Sequence, residues 1–197
     1  MRNTIKTLAI LLLFVSTNFA QTEWAFDKSH SKVGFSVTHL LIAEVEGTFK
    51  NFEGKVVTNN DSFENAGITL KADINSIYTD NEKRDNHLKS DDFFNADKYP
   101  EMTFKSKEFK KIDDRNYELI GDLTIRDVTK EVKLDVVMNG LITDPWGNTR
   151  AGFKLTGELN RFDYNLKWNK ALEAGGLVVG ETVKIIANIE LIKQSDA

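Results

Sequence analysis

Hydrophobic and polar residues alternate along most of this chain, with the period of two that places every second side chain on one face of a strand. Trp24 and Phe26 open the pattern, and Val33, Phe35, Val37 and His39 share one face of the next run. Val45, Gly47 and Phe49 continue it, until Lys50-Asn51 shifts the phase so that Phe52, Gly54 and Val56 take over. An extra residue at such a place is what a β-bulge supplies, bending the strand. Ala66, Ile68, Leu70, Ala72 and Ile74 form another run. Later runs are Met102-Thr-Phe104 onward, Tyr117 to Ile125, Val132 to Met138, Ala151 to Leu159, and Val183 to Leu191. Turn signals separate them at His30-Ser31, Asn59-Asn-Asp61, Asp113 to Asn116 and Arg126 to Lys130. Asp144-Pro-Trp-Gly-Asn148 is another, with Pro and Gly where turn dihedrals want them.

One stretch breaks the alternation. From Thr79 to Tyr99 the sequence predicts a short helix, near residues 80–95, followed by a Phe93-Phe94 anchor. Thr79 or Asp80 is placed to cap the helix, and Glu82 suits the dipole of its first turn. Arg84, Leu88 and Lys89 fall within helical reach of one another. Pro100 ends the segment by forcing Tyr99 toward extended geometry. This insertion reads as the lid or plug of whatever the sheet encloses.

Eight or nine antiparallel strands leave edges that must be hidden. Closing the sheet into a barrel removes them, and about eight strands give an interior able to hold one small ligand. A two-sheet sandwich satisfies the same alternation. Glycines at 34, 47, 54, 121, 140, 152 and 157 lie inside the strand patterns and favour the bent strands of a barrel. The expected fold is therefore all-β, an antiparallel barrel of about eight strands with one helical insertion. No internal repeat or linker divides it.

Composition narrows the setting. Arg2 and Lys6 precede an apolar run from Leu8 to Val15, then Ser16-Thr-Asn-Phe-Ala20, the layout of a secretory signal peptide over residues 1–20. The apolar run is short for a bilayer span, so no stable membrane insertion is expected. The chain has 197 residues, no cysteine and a net charge of −4, which becomes more negative once residues 1–20 are removed. Residues 21–197 suffice for one domain whose core, without disulfides, carries its stability. The acidic balance argues against nucleic acid and anionic membranes as partners. Lys107, Lys110 and Lys111 read as a solvated hairpin end.

Candidate chemistry is sparse. There is no cysteine nucleophile, Gly-x-Ser-x-Gly elbow, phosphate-binding glycine loop or His-Glu-x-x-His pair. No enzyme activity, catalytic residue or cofactor is expected. His30, His39 and His87 lie on three separate segments without a close ligand pair, so they read as hydrogen-bonded structural histidines and no metal site is expected. Arg84 can fork onto an anionic head group, or pair with an acid of the lid. Trp146 and Trp168 read as caps on the barrel ends, although an exposed tryptophan can also meet lipid or a partner.

Taken together, several motifs in order resemble the YceI family of lipocalin-like periplasmic polyisoprenoid-binding proteins. They are Trp24 with Asp27 and His30-Ser31, Phe35-Ser-Val-Thr-His39, Gly47-Thr-Phe49, and Ser76 with Thr79. The central block is Arg84-Asp85, His87-Leu88, Ser90, Asp92-Phe-Phe94, Tyr99-Pro100, Thr103-Phe104 and Ser106. Gly121-Asp-Leu-Thr-Ile125, Val128-Thr129, Gly152-Phe153, Arg161 with Asp163, and Gly180 with Val183 complete it. The chain departs from the family at Arg126-Asp127 and at Asn165, where glycine is common.

The resemblance implies a YceI-like lipid-binding barrel over 21–197, periplasmic or secreted. Its bore would hold an isoprenoid quinone or other polyprenyl lipid for storage or transport, or, as in some relatives, other amphiphiles such as fatty amides. It also implies homodimerisation. Phenylalanine contributes large apolar area with no polar atom to satisfy, and the chain has 13 of them. Phe35, Val37, His39, Phe49, Leu88, Phe94, Met102, Phe104, Leu119 and Phe153 are the candidate ligand-binding residues. The same side chains would equally fill a dry core, giving a barrel that acts through its surface as an interaction or stress-response protein.

Overall fold

The computed structural model describes residues 21–59, 63–173 and 175–194. The expected signal peptide lies outside them, as do Asn60 and Asp61 of the expected loop. Eleven strand segments follow one another: β1 (Thr22–Phe26), β2 (Lys32–His39), β3 (Ala43–Phe49), β4 (Phe52–Thr58), β5 (Gly67–Asp73), β6 (Ile77–Tyr78), β7 (Glu101–Lys111), β8 (Asn116–Ile125), β9 (Val128–Thr143), β10 (Thr149–Asn160) and β11 (Val179–Lys193). Helix α1 (Glu82–Lys89) lies between β6 and β7, and short 3-10 turns cover Ile74–Ser76 and Arg161–Tyr164.

The first six segments are three long strands, each broken by a corner. β1 and β2 both lie along β11, β3 and β4 lie along β2 and β1, and β5 and β6 lie along β4 and β3. Counted this way, eight antiparallel strands run up and down in chain order, and β11 closes the ring on β1 and β2. The fold is the expected barrel and not a sandwich. The phase shift at Lys50-Asn51 is the β3–β4 corner, which buries both Phe49 and Phe52. It is stapled to the β5–β6 corner by the Lys50 amide donating to the Ser76 carbonyl and the Asn51 amide donating to Ser76 Oγ.

Alternation does the rest. β8 buries Tyr117, Leu119, Gly121, Leu123 and Ile125 and leaves the residues between them half-exposed. Two glycines have a role that the pattern alone does not disclose. A Cβ on Gly47 would fall 2.3 Å from Phe35 Cζ, and one on Gly121 would fall 2.4 Å from Phe104 Cζ. Phenylalanine rings therefore lie across bare backbone here, so close approach rather than bending demands glycine. The β8–β9 hairpin turns on Arg126-Asp127 alone, tighter than the five residues expected. Lys107 stands in mid-strand, paired with Asp122 at 2.6 Å and Glu131 at 3.1 Å, rather than at a hairpin end.

One end of the barrel, where β1 and β8 start and β4 and β7 finish, is filled with aromatic rings. Trp24 packs on Phe63 at 4.8 Å between centroids, Phe63 on Phe153 at 5.0 Å, and Phe109 on Tyr117 at 4.9 Å. The Trp24 indole donates to Thr58 Oγ1 at 3.1 Å, which satisfies its one polar atom. Trp146 is not part of this plug. It is 81% exposed at the tip of the β9–β10 hairpin, a correction to its expected capping role.

The β1–β2 corner is held by charge. Arg150 on β10 reaches Asp27 at 2.7 Å, Asp144 at 2.6 Å and Glu190 at 2.5 Å. His30 sits 2.9 Å from Asp27 and, with Glu190, completes a set of metal-capable side chains, but Arg150 already occupies its carboxylates. The His30 hydrogen bond, aided by Arg150 and opposed by burial, brings the Asp27 pKa down to about 2. Burial works against ionisation of Asp144, yet Asn148, Arg150 and two backbone amides outweigh it and hold that carboxyl well below the usual range. Depressed acids stabilise the fold above their unfolded pKa, about 4, and that contribution drains away as the pH falls toward 2. Arg150→Met leaves three carboxylates facing one another. It is expected to lower the melting temperature by several degrees at pH 7 and to raise the pH of acid unfolding, with the two proteins converging near pH 2. Thermal melts followed by circular dichroism across that range check this.

Candidate functional site

Inward side chains of the barrel surround an apolar cavity of about 200 Å³. Apart from Gly34 and Arg161, every residue lining it carries an apolar side chain. Nine of the ten expected residues meet there: Phe35, Val37, Phe49, Leu88, Phe94, Met102, Phe104, Leu119 and Phe153. His39 does not. It ends β2 opposite Ala43 and Val179, one step past the last inward position at Val37, and stands on the rim. Phe93 joins Phe94 in the lining, and β9, β10 and β11 contribute Leu134, Leu155, Leu159, Val183 and Ile185, among others.

Arg161 is the residue that sequence reasoning did not bring to the cavity. It continues the odd-numbered inward face of β10 after Leu159, and that parity was the available signal. The residue is 2% exposed, and its guanidinium donates to four carbonyls: Gly180, Leu166, Trp168 and Val179, at 2.5–3.0 Å. Burial lowers its pKa, and none of these four partners is a carboxylate. Three nitrogens carry five N–H bonds, so four acceptors leave one donor over.

The lid closes the end opposite the plug. Asn81, not Thr79 or Asp80, caps α1, its side chain accepting from the Arg84 amide at 3.0 Å. The cap moves along the chain because Asp80 is left-handed, φ 60°, which turns the backbone once more before the helix. Thr79 instead gives its amide and hydroxyl protons to Asp85 Oδ1, at 2.9 and 2.5 Å. Arg84 donates from Nε to Thr79 Oγ1 and from Nη2 to the Thr79 carbonyl. Arg84 thus serves the lid's own backbone; its expected acidic partner is reached only through Thr79.

Phe93 and Phe94 are both buried, and the rings of His87, Phe93 and Trp168 cluster at 5.0–5.6 Å, so Trp168 does cap this end. His87 also bonds Asp92 at 2.9 Å. The wall beneath the lid is incomplete: β6 pairs with β3 only at Thr48 and Phe49, and β7 pairs with β5 only from Glu101 onward. Among the described residues no strand pairs with residues 43–47 of β3 on that side, where Thr79 of the insertion comes up beside Gly47.

The two departures from the family pattern acquire a physical meaning. Arg126 has φ 55° and Asn165 φ 61°, backbone conformations that glycine adopts without strain. Arg126 uses its position, donating from Nη1 to the carbonyls of Phe93 at 2.8 Å and Asn165 at 2.9 Å. It latches the lid to the segment after β10.

A closed up-and-down barrel with an apolar bore, a plugged end and a lidded end is the class that this fold and site define. The chain belongs to the YceI family: the YceI-like domain matches residues 24–191. A UPF0312 protein of Staphylococcus aureus is 38% identical over 170 residues, covering 86% of this chain and 96% of its own. Among solved structures, the Campylobacter jejuni YCEI protein is 31% identical, with a TM-score of 0.66 over 86% of this chain and 96% of its own. Burkholderia cenocepacia BcnA shares the fold at 20% identity, with a TM-score of 0.73 over 84% of this chain and 98% of its own. So does a polyisoprenoid binding domain from Saccharophagus degradans, at 15% identity and a TM-score of 0.65 over 87% and 98%.

If Arg126 is the latch, Arg126→Gly removes it while relieving its backbone. Amide hydrogen exchange in residues 90–96 is expected to quicken about tenfold, that of β8 and β9 to stay unchanged, and the melting temperature to move little. Exchange read by mass spectrometry checks this.

Proposed function

We propose that this chain, exported behind its first twenty residues, is a carrier that holds a long-chain isoprenoid lipid or isoprenoid quinone inside the barrel, without catalysing a reaction on it. The observation that carries this reading is the composition of the bore, whose lining is apolar except at Gly34 and Arg161. Such a wall rewards an alkyl or prenyl chain at roughly 0.8 kcal/mol per buried methylene and offers nothing to a polar substrate. The polyisoprenoid binding domain of Saccharophagus degradans, alike in fold, is in keeping with it. Arg161 sets the direction: its spare N–H suits an oxygen acceptor at the lidded end, so the head group lies there and the tail runs toward the plug.

The free volume favours a second reading as well. About 200 Å³ is less than the roughly 300–1,000 Å³ of most ligand sites. A barrel largely filled by its own side chains would act through its surface instead. For the carrier, the small volume means that the walls yield on loading, first where Phe35 rides on Gly47 and where Leu88 and Phe94 hang from the lid.

Native mass spectrometry of the protein purified from its own envelope, followed by solvent extraction, separates the two. A stoichiometric mass excess that extracts as a prenyl lipid is expected. A bare mass, with no uptake of added polyprenyl phosphate, prenyl quinone or the matching hydrocarbon, would sink the carrier. Uptake of all three with equal affinity would remove Arg161 from head-group recognition. Phe35→Trp is expected to reduce lipid retention severalfold and leave the β circular-dichroism spectrum intact.

A further inference from the structure

The hairpin between β2 and β3 turns on Leu40 and Leu41, both left-handed, with φ 52° and 63°. The Ile42 amide donates to the His39 carbonyl at 3.2 Å and closes a turn of the primed type. Such turns favour Asn-Gly, because a branched side chain at positive φ crowds its own backbone. Here the chain keeps two leucines in that conformation and follows them with isoleucine. None of the three is buried: Leu40 is 38% exposed, Leu41 60% and Ile42 86%. Leu40 is partly covered and Leu41 leans on Gly176, but most of Leu41 and nearly all of Ile42 stay in solvent, so packing alone is a poor reason for three large aliphatic side chains on a strained turn.

Their place in the barrel gives one. The hairpin stands at the lidded end, where Val37 and Val179, on either side of the rim residue His39, line the bore. It also ends the β3 edge that no strand among the described residues covers. The Leu40 amide donates to the Val178 carbonyl at 2.9 Å, and Leu41 Cδ1 lies over Gly176, so the tip is braced from behind and held outward.

We propose that Leu40, Leu41 and Ile42 form a membrane-docking tip, which seats the mouth of the barrel in the apolar layer of a bilayer while lipid passes. This rests on the carrier reading and adds the surface with which the carrier exchanges its cargo. A second copy of the chain is a poorer occupant. Three side chains on one turn are far short of the roughly 1,200–2,000 Å² that a stable interface buries, whereas a few inserted aliphatic groups suffice for brief contact with a bilayer. Beside the tip, Glu44 is neutralised by Lys184 at 2.6 Å and Glu46 is exposed, so no net positive charge draws it to an anionic surface and insertion holds the contact. A neutral bilayer is the matching surface.

The test uses the mature protein and phosphatidylcholine vesicles. Leu40→Asn with Leu41→Gly installs the preferred turn and is expected to raise the melting temperature by a few degrees, while vesicle co-sedimentation falls about tenfold or more. Ile42→Ser, which leaves the turn backbone alone, is expected to weaken co-sedimentation in the same direction, and added salt to leave wild-type binding unchanged. Equal sedimentation of wild type and both variants, including none by any of them, overturns the proposal. So does a wild-type dimer that the substitutions dissociate, which would put a second copy on the tip. Lipid content by mass spectrometry is read on the same samples. Bound lipid in all three proteins with equal sedimentation removes the tip and leaves the carrier standing; absence of lipid from all three, with no uptake of added prenyl lipid, removes the carrier itself.

Discussion

The molecule depends on one edge. β11 lends the same side to β1 near its end and to β2 near its start, and through that double pairing a row of strands becomes a ring. Nothing local enforces it: the partners lie 140 to 169 residues apart in sequence, and the hydrogen bonds are worth little beyond those that water would supply. Leaving the edge open would strand unpaired backbone groups beside an apolar face. Closure hides both at once. The Arg150 cluster sits where β1 gives way to β2, so the corner that permits the double pairing is also where charge is concentrated.

Once the ring is closed, its interior follows from parity. Each long strand sends every second side chain inward, and the sequence places valine, leucine, isoleucine and phenylalanine there nearly without exception. The wall is interrupted where β6 falls short, and the lid residues occupy that interruption. Its ties are short-range and of mixed kind: a threonine bridging Arg84 and Asp85, a cluster of rings, and one arginine from the β8–β9 turn. Each is separable from the barrel's own hydrogen-bond ladder. The lid is therefore the part whose position can change without undoing the closure.

Most of this was legible in the sequence because a period of two is a strong signal where one face is buried. The runs from Tyr117 to Ile125 and from Val183 to Leu191 could be read directly, and so could nine of the ten residues expected around the bore. What escaped was set by individual backbone angles and distant contacts. The helix cap moved to Asn81 because Asp80 is left-handed. His39 lay on the inward parity of its run but one position beyond the wall. Arg161 lay on the inward parity of β10 and was passed over because charge is not expected in an apolar bore. The Leu40-Leu41 turn contains no glycine, proline, asparagine or aspartate, so no turn chemistry marked it.

The aromatic plug has a kinetic consequence. Trp24, Phe63, Phe109, Tyr117 and Phe153 are all nearly inaccessible, so the bore has a floor. On the proposed carrier reading, a lipid held above that floor could not be threaded through; it would enter tail first and leave head first by a single door. For the carrier proposed above, passage in and out would then be the same path run in reverse, and the depth from door to floor would act as a ruler for the cargo. A tail shorter than that depth leaves apolar wall uncovered, and a longer one keeps its head outside the rim, where another molecule can take hold of it.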